Sequence, residues 1–159
     1  RDDDTNGSDV GQAHLFDATT GSPLQTFNDP TPTSGDWFGS SVSLSGNNVL
    51  IGAHRDDTNG NDVGQVHLFD ATTGNLLQTF NDPTPTGFEL FGFSAALSDD
   101  KVLLTARMND TTNGSNVGQA HLYTVADSGT AVPEPGVLAV FGMGLAGLAA
   151  MRRKRMVRV

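Results

Sequence analysis

Cysteine is absent from this chain of 159 residues. That excludes a disulfide framework, any cysteine-based metal site and a thiol nucleophile, while leaving the compartment open, since an exported protein need not use disulfides. Aromatic residues are few, with one tryptophan and one tyrosine among nine phenylalanines. Basic residues are scarcer still before the C-terminus: Arg1, Arg55, Lys101 and Arg107 stand against all eighteen acidic residues in positions 1–151, a net charge of −14. An acidic surface of that size repels nucleic acid and anionic lipid, so no nucleic-acid partner is expected. Signatures of common catalytic sites are missing as well: there is no G-x-S-x-G, no H-E-x-x-H and no P-loop. Asp and Ser are abundant, but they fall in repeated turns, where they are expected without any catalytic role.

Only one long hydrophobic run is present, and it lies at the C-terminal end. Gly136 to Met151 is 16 residues without a charge, preceded by Val132-Pro133-Glu134-Pro135 and followed by Arg152-Arg153-Lys154-Arg155, with Arg158 beyond. As a helix, that run reaches roughly 24 Å, just enough for a thin or locally thinned bilayer. Basic side chains are costly to translocate, so residues 152–159 stay cytoplasmic and the preceding chain lies outside. A buried core helix would show a polar face, and this run has none.

The ordered series Val-Pro-Glu-Pro, apolar run and Arg-Arg-Lys-Arg resembles the PEP-CTERM sorting signal of Gram-negative bacteria. The resemblance covers Val132 to about Arg155, within a tail that runs from 132 to 159. It implies that an exosortase in the inner membrane recognises Pro133-Glu134-Pro135 and processes the tail, and that the mature protein serves at the cell surface or outside the cell. The membrane would then be a transient partner. Gly142-x-Gly144-x-x-Gly147 fits the dinucleotide-binding spacing, but the chain ends 12 residues later, leaving no room for the helix and acidic residue that motif requires. Close helix packing in lipid is the better reading of those glycines.

A second signal is an internal repeat. Residues 3–34 align with 56–87 at an offset of 53, and 27 of the 32 positions are identical. A third copy follows at an offset of 54, where Val117-Gly118-Gln119-Ala120-His121-Leu122-Tyr123 repeats Val63-Gly64-Gln65-Val66-His67-Leu68-Phe69. Taking the copy that starts at Val10, four short strands are expected: 12–16, 24–27, 39–44 and 49–53. Ala18-Thr19-Thr20-Gly21 turns the first into the second, and Ser45-Gly46-Asn47-Asn48 joins the third to the fourth. Asn28-Asp29-Pro30-Thr31-Pro32 breaks the pairing after the second strand, because proline cannot donate to a ladder. Four strands in 53 residues is the pattern of a β-propeller blade.

Phe38-Gly39-Ser40-Ser41-Val42, then Val49-Leu50-Ile51-Gly52-Ala53, an acidic loop and Val63-Gly64-Gln65-Val66-His67-Leu68-Phe69 together resemble the FG-GAP repeat of integrin alpha-chain propellers, in its bacterial short form. The next copy keeps Phe91-Gly92 but replaces Gly52-Ala53 with Thr105-Ala106. The fold expected is therefore all-β: a partial β-propeller of four-stranded blades over residues 1–126, about two and a half repeats, followed by a linker at 127–131 and a C-terminal hydrophobic helix. A closed propeller needs at least four blades. The chain opens at Arg1, in mid-repeat and without a signal peptide, and reads as a C-terminal fragment with its export signal and other blades upstream.

Metal chemistry has one candidate. Asp2-x-Asp4-x-Asn6-Gly7 begins like a calcium loop, yet position twelve is Ala13, and the aligned starts are Arg55-x-Asp57 and Asn109-x-Thr111. The integrin-type calcium loop would fall at Ser45-Gly46-Asn47-Asn48, which lacks the carboxylates. Weak calcium binding through Asp3, Asp4 and Asp9, and again through Asp56, Asp57 and Asp62, competes with the preferred reading of a solvated acidic turn. His14, His67 and His121 share one repeat position on successive blades, too far apart to converge on one ion, and are read as structural. His54 has no visible nucleophile partner, and Trp37 is read as packing at a blade interface with sugar stacking as the weaker alternative. The reading favoured is a non-enzymatic, exported surface or matrix protein that binds protein or polysaccharide through blade loops. The alternative is a polysaccharide-acting enzyme with its catalytic residues upstream.

Overall fold

Val, Ile, Leu and Phe at alternating or continuous apolar positions, bounded by Gly, Asn, Asp and Pro, dictate short strands and tight turns. A computed structural model describes residues 7–109 and 114–125. The strands are β1 (Gln12–Phe16), β2 (Pro23–Asn28), β3 (Phe38–Ser45), β4 (Asn48–Ala53), β5 (Gln65–Asp70), β6 (Leu76–Asn81), β7 (Phe91–Ser98), β8 (Lys101–Ala106) and β9 (Gln119–Thr124). Among the described residues there is no helix, and thus none long and apolar enough to cross a membrane. The chain separates into two units, 1–126 and 127–159. The second unit, with the linker at 127–131 and the helix expected over 136–151, lies outside the described residues.

The strands form three antiparallel sheets in the orders β1-β2, β3-β4-β5-β6 and β7-β8-β9. The four strands read within one sequence repeat are thus shared between neighbouring sheets. Each Asn-Asp-Pro-Thr-Pro stretch lies where the chain leaves one sheet for the next, after β2 and after β6. Proline withholds a ladder donor there, and the chain crosses over instead of pairing.

The middle sheet carries apolar residues on both faces. Val49, Ile51, Ala53, Phe38 and Phe69 pack with Phe27, Ala13 and Leu15 of the first sheet. Leu50, Val66, Leu68 and Phe80 pack with Phe91, Leu97, Val102, Leu104 and Ala106 of the third. Burial on both sides explains why β4 is a continuous apolar run and not an alternating one.

The dipeptides that recur between the repeats mark the junctions between sheets. The amide of Phe91 donates to the carbonyl of Val63 at 2.7 Å, and a Cβ on Gly64 would lie 2.3 Å from the Phe91 carbonyl oxygen. The same contact recurs one repeat earlier, where Phe38 donates to Val10 at 2.7 Å beside Gly11. At Gly52 a Cβ would stand 2.5 Å from the carbonyl oxygen of Gly92. Serine hydroxyls complete the joint: Ser41 donates to the Gly92 carbonyl at 2.7 Å, while the amides of Leu97 and Asp99 donate to Ser43 and Ser45 at 3.0 and 3.1 Å.

Candidate functional site

At the junction of the first and middle sheets, Asp9, Gln12, Trp37, Phe38, Ser40 and His54 line a cleft of about 330 Å³. Trp37 is placed by two backbone bonds: its amide donates to the Asp9 carbonyl at 3.1 Å, and its carbonyl accepts from Ser40 at 3.1 Å. Its φ of 56° is left-handed, a conformation that costs a bulky residue about 1–2 kcal/mol. Leu90, the aligned residue, has φ 55° and the same pair of bonds, so the turn belongs to the repeat while the indole belongs to this copy alone.

The imidazole of His54 sits between two aromatic edges, 5.5 Å from Trp37 and 5.5 Å from Phe93. Its Nδ1 is 2.7 Å from the Ser40 hydroxyl. Burial, with the Arg55 charge second, pushes the imidazole below its ordinary range, which keeps it neutral near pH 7. The Arg55 guanidinium lies 4.6 Å from the Trp37 ring centre. One repeat on, the equivalents of Trp37, Ser40 and His54 are Leu90, Phe93 and Arg107, with Arg107 stacked 4.9 Å over Phe93. The cleft thus offers an aromatic face, a hydroxyl and a neutral imidazole, which is hydrogen-bonding and stacking chemistry suited to a polar ligand with an apolar side.

Of the acidic residues singled out from the sequence, the structure describes Asp9, Asp56, Asp57 and Asp62. Asp3 and Asp4 lie outside the described residues. Asp9 lines the cleft. Asp57 accepts the amide of Asp62 at 2.7 Å, and the Asp62 carboxylate lies 3.9 Å from the Arg55 Nε. Asp56 is fully buried and accepts from the Thr58 amide at 2.8 Å. Among the described residues, the carboxylates and imidazole that come together are Asp29, Asp56 and His67. Asp29 was legible in the sequence only as part of the proline break, although its copy at Asp82 shows that the repeat retains it. His14, His67 and His121 fall on three different sheets, in β1, β5 and β9. Val132, Pro133, Glu134, Pro135, Arg152, Arg153, Lys154 and Arg155 lie outside the described residues.

Comparison with known families agrees with both resemblances. The FG-GAP repeat matches residues 30–69, which hold the first proline break and β3, β4 and β5. The PEP-CTERM protein-sorting motif matches residues 131–154. No curated protein is matched by the sequence. The sorting motif implies recognition by an exosortase and indicates a secreted, membrane-passing precursor from a Gram-negative bacterium.

Proposed function

We propose that the chain belongs to an exported cell-surface or extracellular-matrix protein whose stacked sheets are blades of a β-propeller. The propeller serves as a non-catalytic binding or adhesion platform, and an exosortase-type enzyme delivers it through the C-terminal signal. The observation that carries this reading is the order of the two matches on one chain: an FG-GAP repeat, then a PEP-CTERM motif at the C-terminal side. The repeated glycine junctions support the propeller, because each brings the next sheet against the last with the same hydrogen bond. The cleft beside Trp37 and His54 supports binding, since it lies where this copy departs from the next. An extracellular protein or polysaccharide is the ligand class that fits.

Replacing Pro133, Glu134 and Pro135 together by alanine tests the delivery step. The variant should stay uncut in the inner membrane while the parent appears outside the cell. Equal export of both would remove the sorting role from these residues.

A further inference from the structure

Asp29 follows β2 of the first sheet, Asp56 follows β4 and His67 lies in β5 of the middle sheet. All three are buried, at 5%, 0% and 1% exposure, and the atoms they offer lie within 4.8 Å of one another. Their hydrogen-bond accounting does not close. The Thr31 hydroxyl has one proton, yet it faces Asp56 Oδ2 at 3.2 Å, Asp29 Oδ1 at 3.4 Å and Gln65 Oε1 at 3.4 Å. The Asp29 Oδ2 has no partner at all. His67 commits Nδ1 to Thr79 at 3.0 Å, and its Nε2 is likewise buried without a partner. Gln65 spends its amide on Asn81 at 2.8 Å, leaving its carbonyl oxygen toward the same space. Each carboxylate also accepts one backbone amide, Thr31 on Asp29 Oδ1 at 2.9 Å and Thr58 on Asp56 Oδ1 at 2.8 Å, which leaves Asp29 Oδ2, Asp56 Oδ2, Gln65 Oε1 and His67 Nε2 from two sheets with one hydroxyl proton among them.

The next repeat shows how the same place is built with fewer carboxylates. In the fold Asn109, which the sequence offset sets against Arg55, takes the place of Asp56: its carbonyl accepts from Gly118 as that of Asp56 accepts from Gly64, and its Nδ2 donates to Asp82 Oδ2 at 3.2 Å. An amide donor there answers the carboxylate that Asp29 leaves open here. Asn109 Oδ1 and His121 Nε2 also lack partners, but that set holds a single carboxylate.

We infer that Asp29, Asp56 and His67, with the Gln65 carbonyl, form a structural site for a divalent cation of zinc's class that clips the first sheet to the middle one. Two carboxylates balance the charge of a dication, and a neutral imidazole with oxygen donors is a donor set that zinc accepts. Ligand atoms around tetrahedral zinc stand about 3.4 Å apart, so closure draws this group in by roughly an ångström. Burial with no open face makes the site structural and not catalytic.

The test uses the full chain, stripped with a chelator and titrated with zinc chloride by calorimetry alongside thermal melting. One zinc per chain is expected, with a rise in Tm on the order of 10 °C when free zinc is about 100 times Kd. Asp56→Asn copies the next repeat and should fold, yet bind zinc roughly 100-fold more weakly or worse. Asn109→Asp should raise the stoichiometry to two, because Asp82 and His121 then complete the same set. No zinc uptake by the parent would overturn the site. Equal uptake by the parent and Asp56→Asn would overturn it as well.

Discussion

Leu50 pairs with Leu68 across the middle sheet, and the equivalent pair in the third sheet is Leu103 with Leu122. The first two are fully buried, whereas Leu103 and Leu122 are 46% and 68% exposed. Residue type, strand position and cross-strand partner are the same, so local sequence does not account for the difference. It comes from the neighbour. Leu50 and Leu68 meet β7 and β8, and the corresponding face of the third sheet meets no other sheet among the described residues. In a stacked array each sheet is stabilised by the one that follows, and a sheet without a follower keeps its strands but shows its apolar face to solvent.

The comparison can be broken most forcibly at Gly52. Thr105 holds the equivalent place in the third sheet, where its hydroxyl bonds the backbone of Ser94 on the paired strand, whereas Gly52 faces the Gly92 carbonyl of the next sheet. Gly52→Thr should cost about 4 kcal/mol or undock the third sheet, while Thr105→Gly should cost about 1 kcal/mol, both read from denaturant unfolding of the full chain. Next in size, Leu50→Ala should cost about 3 kcal/mol through its cavity. Leu103→Ala should change stability by no more than about 0.5 kcal/mol while reducing self-association seen by sedimentation. Similar losses at the two leucines would refute the neighbour account.

The smallest effect concerns acid. Asp70, the last residue of β5, accepts the amides of Thr73 and Thr72, and those bonds lower its pKa below the ordinary 3.8. Its contribution is therefore present above pH 3.8 and is lost as pH falls through the lower folded value. In the third sheet the aligned residue is Thr124, which cannot titrate. Amide exchange at Thr72 and Thr73 should accelerate below that pH in the parent, and Asp70→Asn should remove the pH dependence.

Much of the fold was legible from residues alone. The strands expected at 12–16, 24–27, 39–44 and 49–53 are β1 to β4, within one residue at each end, because alternation and turn residues act locally. The grouping into sheets was not legible, since a 53-residue period can be cut at any phase. Only the pairing of β4 with β5 across the acidic loop fixes where a sheet begins. The cleft was half visible: Trp37 stood out as unique, but its contact with His54 is made only when the start of β3 pairs with the end of β4. The Asp29, Asp56 and His67 group could not be read at all, because it joins a residue from one sheet to two from the next.

The most direct test of the account is mass spectrometry of the protein recovered from outside the cell, read at its C-terminus. The account predicts a chain that ends near Pro133-Glu134-Pro135, with the basic residues from Arg152 onward removed. Exported material that retains Arg152 to Val159 would contradict it.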